Sequence, residues 1–251
     1  MNSFFAEIRQ TIAPTLDSRH GPLPPLLVAM TLVTGLVDAF SYLVLGHVFV
    51  ANMTGNVVFL GFALAGAHGF SISASLVALA SFWCGALAGG RVAAQFGDHR
   101  GRQLSTAAAI EAALLAAAVV VAALGASPIA GGYRYALIVV LAVAMGVQNA
   151  TARRLAVPDL TTTVLTLTIT GMAADSAIAG GKGSVAGRRL VAVLAMLVGA
   201  LVGAAFVVDD HIVYPLLIAL IVLCLVAVTT RRVGTSDPAW VRGESAGGAR
   251  S

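Results

Sequence analysis

Charge is what this sequence has least of. Asp, Glu, Lys and Arg make up 10% of its 251 residues, against 59% hydrophobic, and the mean hydropathy is +0.93. An average soluble domain carries about 25% charged residues, so the composition argues against a water-soluble enzyme and for a polytopic membrane protein. Cysteine is scarce too: Cys84 and Cys224 both sit inside apolar runs, where a thiol behaves as a small hydrophobe. Their number and spacing exclude a disulfide scaffold and suggest no metal site. The low charge and the irregular glycines exclude disorder and collagen. Catalytic signatures are also missing. The chain contains no Gly-x-Ser-x-Gly elbow, no Walker loop, no His-Glu-x-x-His and no dinucleotide fingerprint. Neither an enzyme activity nor a cofactor is therefore expected. The 15 basic residues give a net charge of +4 but stand singly or in pairs, which speaks against nucleic acid. Met1 to His20 has no continuous apolar stretch and is read as a short amphipathic cytoplasmic segment rather than a cleavable signal.

What the sequence does have is apolar length. A helix needs about 20 mostly apolar residues to cross a hydrocarbon core of roughly 30 Å. Six stretches supply them: Pro25 to Leu45, Ile72 to Gly90, Thr106 to Leu124, Tyr135 to Ala152, Leu190 to Val208 and Ile212 to Thr229. Two others, His47 to Gly69 and Leu160 to Gly180, are long enough but interrupted. The first contains Asn52, Thr54, Gly55 and Asn56; the second follows Pro158-Asp159 and opens on Thr161, Thr162 and Thr163. Such residues bond to nearby backbone and favour broken segments over plain lipid-facing helices.

Charge supplies an independent test, because short cytoplasmic loops are enriched in Lys and Arg. Eight full crossings with the N-terminus inside would put Arg91, Arg100, Arg102, Arg153 and Arg154 outside. If the two polar stretches instead return to the side they entered from, these five join Lys182, Arg188, Arg189, Arg231 and Arg232 in the cytoplasm. Only Arg134 is then outside, with Asp209 and Asp210. Six spans, two re-entrant or broken segments and cytoplasmic termini are therefore preferred. The division is residues 1–24 as a cytoplasmic segment, 25–126 and 132–230 as membrane halves, and 231–251 as a disordered cytoplasmic tail.

The halves resemble one another. Gly35-Leu36-Val37-Asp38-Ala39 matches Gly146-Val147-Gln148-Asn149-Ala150. Val50, Asn52, Met53, Thr54 and Val57 match Val157, Asp159, Leu160, Thr161 and Val164, and Gly85-Ala86-Leu87-Ala88-Gly89 matches Gly199-Ala200-Leu201-Val202-Gly203. All three matches fall at separations of about 110 residues. A half with three crossings ends on the side opposite its start, so the second half is expected upside down relative to the first. Inverted repeats mark secondary transporters, whose sites lie at the repeat interface among broken helices. Duplication kept for packing alone is the alternative.

At Gly35-Leu36-Val37-Asp38-Ala39 with Asn52-Met53-Thr54-Gly55-Asn56, and again at Met145-Gly146-Val147-Gln148-Asn149-Ala150 with Val157-Pro158-Asp159-Leu160-Thr161-Thr162-Thr163, the chain resembles the YoaK-type family of bacterial integral membrane proteins. The resemblance runs from about Pro25 to Thr230. It implies a multi-span protein of the bacterial inner membrane and no particular reaction.

The expected fold is all-α: a polytopic membrane helix bundle of two inverted repeats, each of three spans plus one broken or re-entrant segment. Ionisable residues inside a membrane span are expensive and tend to face a partner or a wet cavity. Asp38, paired in the repeat with Asn149, is the first candidate for proton or cation coupling, with Asp175 and His68 as further candidates. Glu111 is placed near a membrane end. Asn52, Thr54, Gly55, Asn56, Gln148, Asn149, Asp159, Thr161, Thr162 and Thr163 are the candidate substrate ligands, since uncharged donors beside freed backbone suit a small polar solute or ion. The expected function is small secondary transport, with lipid and a small-molecule or ion substrate as partners and a homo-oligomer left open. The alternative is a non-transporting membrane protein, either an assembly partner or an intramembrane enzyme.

Overall fold

The computed structural model of the chain describes residues 2–15, 18–125, 128–163, 165–176, 179–180, 185–234 and 239–241. Arg231 to Gly234 are helical and Trp240 and Val241 are buried, which corrects the expectation of a disordered tail there. Lys182 and residues 235–238 and 242–251 of the expected tail lie outside the described residues. Nine α-helices are found among those residues and no strand: α1 (Asn2–Ile12), α2 (Leu23–Val44), α3 (Met53–Leu64), α4 (Ile72–Gln95), α5 (Arg100–Leu124), α6 (Gly131–Leu155), α7 (Leu165–Ala174), α8 (Ala186–Val208) and α9 (Tyr214–Gly234). Six of them are long and apolar enough to cross a membrane: α2, α4, α5, α6, α8 and α9. Helices α3 and α7, at 12 and 10 residues, reach only about 18 and 15 Å at 1.5 Å per residue.

The long helices start and stop for local reasons. Helix α2 carries proline in its first turn, where the missing N–H is harmless. Ser71 caps α4 by accepting the Ala74 N–H at 3.2 Å, and His99 caps α5 by accepting the Arg102 N–H at 3.2 Å. Helix α6 ends as Ala156 turns left-handed at φ 48°. Several helices overrun the apolar stretches that announce them. Helix α5 begins at Arg100 rather than near Thr106, and acceptors of the protein itself hold the Arg100 guanidinium. Helix α9 continues through the exposed Arg231 and Arg232 to Gly234, because long arginine stems let a helix end leave the hydrocarbon with its charge in water.

Polar contacts define two ends of the bundle. At one, Arg100 donates to the Leu155 carbonyl and, at 3.4 Å, to His20 Nδ1, joining the starts of α2 and α5 to the end of α6. Trp240 is buried at this end, packed against Gly21 and Gly101. At the other end, Arg134 donates to the Leu45 carbonyl at 2.6 Å, and the Ser73 and Tyr135 hydroxyls share a hydrogen bond of 2.6 Å.

Both polar stretches turn back to the end they came from. The chain leaves α2 at Leu45, and residues 47–52 run inward until the Val50 and Ala51 N–H groups reach Asp38, about 9 Å below the end of α2. Helix α3 then climbs back, bringing the Gly69 carbonyl within 3.0 Å of His47 Nδ1. In the second half, the chain leaves α6 at Leu155 and dips to Asn149, whose Oδ1 accepts from the Thr163 hydroxyl. Helix α7 then returns to bring Asp175 against Arg189 in the first turn of α8.

Helix α2 packs mainly on α8, and α6 on α4. The two crossings have matching contacts. A Cβ on Gly35 would collide with the Met196 carbonyl oxygen and lie 2.7 Å from the Ala200 nitrogen; one on Gly146 would collide with the Phe82 carbonyl oxygen and lie 2.7 Å from the Ala86 nitrogen. These obstacles are backbone and cannot rotate away, so the glycines permit the close approach. Gly35→Ala and Gly146→Ala are each expected to destabilise by about 1–3 kcal/mol, the usual range for overpacking. Gly61→Ala, which faces open space, should be neutral. Thermal unfolding in detergent measures all three.

Candidate functional site

Asp38 builds the tip of the first re-entrant segment. Its Oδ1 accepts the Ala51 N–H at 2.9 Å and the Val50 N–H at 3.3 Å, while Oδ2 is buried without a hydrogen-bond partner among the described residues. Asn52 then caps α3, its Oδ1 taking the Gly55 N–H at 3.3 Å. Asn56 is fully buried and braces the hairpin: it accepts the Phe49 N–H at 2.9 Å and donates to the Phe49 carbonyl at 2.6 Å. Four backbone N–H groups at the break are thus answered by side chains of the same half, as burial in a membrane protein requires.

The second tip repeats the plan with neutral groups. Asn149 stands where Asp38 does, donating to the Met145 carbonyl at 2.8 Å and accepting from Thr163. Asp159 and Thr162 both adopt left-handed φ of 64°, which turns the chain sharply into α7.

The two tips meet across a cavity of about 530 Å³. Ala51, Asn52, Met53, Thr54, Gly55, Val58 and Phe59 wall it from the first segment, Thr163, Leu165 and Thr166 from the second. Phe82 of α4, Asn149 of α6 and Met196 of α8 complete it. Phe82 and Met196 each lie ten residues into their helices, about 15 Å along, so the cavity sits near mid-height. No charged side chain lines it among the described residues. Its size suits a small molecule.

The family described as "protein of unknown function (DUF1275)" matches residues 26–229, from the first turn of α2 to the end of α9. The chain belongs to this family. It is also 34% identical over 157 residues to the UPF0700 transmembrane protein YoaK of Bacillus subtilis (strain 168). That match covers 60% of this chain and 65% of YoaK, just under two thirds of its length. No solved structure matches. The resemblance read from the paired motifs is therefore correct.

In this DUF1275 protein the expected site residues separate into three groups. Asn52, Thr54, Gly55, Asn149 and Thr163 line the cavity. Asn56 and Gln148 lie behind its wall, which corrects their assignment as ligands, and Asp38, the coupling candidate, lies there too. Asp38 is occupied by backbone of its own half. Gln148 donates to the Thr34 hydroxyl at 2.7 Å and the Met30 carbonyl at 3.3 Å, tying α6 to α2. The third group is away from the cavity. Asp159 and Asp175 both pair with Arg189 at 2.8 Å, Thr161 and His68 are exposed, and Thr162 is buried with its hydroxyl unpartnered among the described residues. His68 and Asp175 therefore do not meet Asp38. Glu111 is corrected as well: it is fully buried, both carboxyl oxygens unpartnered among the described residues. With α5 starting at Arg100, it lies about 16 Å along the helix.

Sequence reasoning missed Phe82, Met196, Met53, Phe59, Leu165 and Thr166. A signal for the first two was present, since each stands three residues before the first glycine of the Gly85 and Gly199 motifs. Apolar residues at such positions read as packing, and only the crossing of α4 with α6 and of α2 with α8 turns them inward.

Proposed function

We propose that the protein is a secondary transporter of a small, uncharged polar solute, whose inverted halves close around the cavity between α3 and α7. The carrying observation is that cavity: near mid-height, walled by both re-entrant tips, and bounded by Phe82 and Met196 in corresponding positions of the two halves. Broken helices at a repeat interface provide polar backbone in the one setting where a membrane tolerates it. The lining offers carboxamides and hydroxyls from Asn52, Thr54, Asn149, Thr163 and Thr166, with apolar surface between, which fits a neutral solute. The same reading places the protein in the bacterial inner membrane with the arginine-rich end and both termini cytoplasmic, and gives it no catalytic centre.

Alternating access to the cavity tests this. In a background with Cys84 and Cys224 replaced by alanine, Thr54→Cys and Thr166→Cys should react with a membrane-impermeant thiol reagent added to either side of oriented proteoliposomes. Labelling from one side alone, or from neither, in both variants would overturn the reading.

A further inference from the structure

Away from the cavity, positive charge gathers in a crevice of about 680 Å³ between α1 and the arginine-rich end of the bundle. Arg9 of α1, Arg19 and His20 before α2, and Arg188 of α8 line it, beside Phe5 and Pro24. No carboxylate lines it among the described residues. Glu7, the acidic residue of α1, instead accepts the Gly187 N–H at 3.0 Å and so fastens α1 to the start of α8. Asp98 lines a smaller adjoining crevice, which Arg19 and His20 share with Arg100 and Arg154.

Two details point to a missing acceptor. The Arg188 Nε is buried and has no hydrogen-bond partner among the described residues, a deficit that a charged donor sustains only at considerable expense. His20 Nδ1 faces the Arg100 guanidinium, at 3.4 and 3.5 Å to its two nitrogens. Since arginine can only donate, Nδ1 is the acceptor there and Nε2 keeps the hydrogen. Burial, with Arg100, Arg188 and Arg19 nearby, lowers His20 from 6.5 to about 4, so it stays a neutral donor near neutral pH. Three guanidiniums and one neutral N–H donor line one crevice with no carboxylate among its described lining residues, which matches an oxyanion with several acceptor oxygens, and the arginine fork is shaped for phosphate.

We propose that this crevice binds a phosphate group, held by Arg9, Arg19 and Arg188 with His20 donating from Nε2. The phosphate has two sources, the headgroup of an anionic phospholipid or free phosphate. The apolar side given by Phe5 and Pro24, on a helix with Phe5 and Ile12 exposed, suits a headgroup whose chains continue into the bilayer. The site is independent of the transport cavity and does not rest on it.

The test uses the full chain in detergent, with thermal unfolding as readout. Dihexanoyl phosphatidic acid, dihexanoyl phosphatidylcholine and inorganic phosphate are added separately at matched ionic strength. Phosphatidic acid should raise the midpoint by about 5 °C near saturation. An equal rise with inorganic phosphate supports the site and assigns it to free phosphate; a rise with phosphatidic acid alone supports it and assigns the lipid. Arg188→Gln, and separately the exposed Arg19→Gln, should each weaken apparent affinity at least about 10-fold, while Arg102→Gln, outside the crevice, changes nothing. No rise with either phosphate source, an equal rise with phosphatidylcholine, or a rise untouched by both crevice variants overturns the proposal.

Discussion

Asp38→Asn should abolish coupled transport while leaving a folded protein. In proteoliposomes, proton movement reported by an internal pH-sensitive dye is expected to fall at least about 10-fold. Asp38 Oδ1 holds two N–H groups, and Oδ2 has no partner among the described residues. Hydrogen bonds to a charged acceptor contribute about 1.5–3 kcal/mol, those to a neutral one about 0.5–1.5. A proton arriving at Oδ2 therefore weakens the hold on Val50 and Ala51, the residues immediately before the tip that walls the cavity. Under the transporter reading proposed above, proton occupancy and tip position are linked without Asp38 touching solute, which would make it a positioning residue.

Asparagine keeps an acceptor for the two N–H groups but cannot change its charge. It places an amide where Oδ2 lacks a partner, at a cost of about 1–3 kcal/mol, whereas Asp38→Ala strands both backbone donors and should cost about 2–5 kcal/mol. The stability order wild type, Asn, Ala, read by thermal unfolding, separates the structural part of the effect from the coupling part. Proton flux in Asp38→Asn equal to wild type would leave Asp38 a brace of the hairpin and nothing more.

Much of this architecture is legible in the chain because membrane solvent makes simple demands. Six apolar stretches became the six long helices, with the larger errors where arginines prolong them, as at Arg100 and Arg231. The two interrupted stretches declared themselves through Asn52, Gly55, Asn56 and the threonines, and the sidedness of the arginines made re-entry the economical reading. Side-chain direction was harder to read. Asn56 and Asn52 are four residues apart in one motif, yet one closes the hairpin and the other lines the cavity, because only the inward run of residues 47–52 decides which side faces Phe49. Asp159 looked like the counterpart of Asn52, but Arg189, thirty residues later, draws it away; no local pattern announces so distant a partner. Gln148 and Asn149 are adjacent on α6 and so point about 100° apart, one to α2 and one to the cavity.

Arg189 should govern the opening of the second half. Its guanidinium lies across α7 where Gly171 leaves room: a Cβ there would come 2.6 Å from Nη1. It holds Asp159 before α7 with Nε and Asp175 after it with Nη1, both at 2.8 Å. One side chain from α8 thus clamps both ends of the second re-entrant segment. The two ion pairs are not equal. Asp175 is 53% exposed, and pairs of that kind contribute about 0–1 kcal/mol after solvent screening. Asp159 and Arg189 are 18% and 12% exposed, and removing one partner of a pair so far out of water leaves the other poorly solvated. Arg189→Gln is therefore expected to raise hydrogen exchange in α7 at least about 10-fold and to speed labelling of Thr166→Cys from the arginine-rich side. Asp159→Asn should reproduce most of that change and Asp175→Asn little of it. Gly171→Ala should act like Arg189→Gln, because the added methyl pushes the guanidinium off the helix. Exchange in α7 that is unchanged in Arg189→Gln would mean that the segment is held by its apolar contacts alone and that the ion pairs do not gate the cavity.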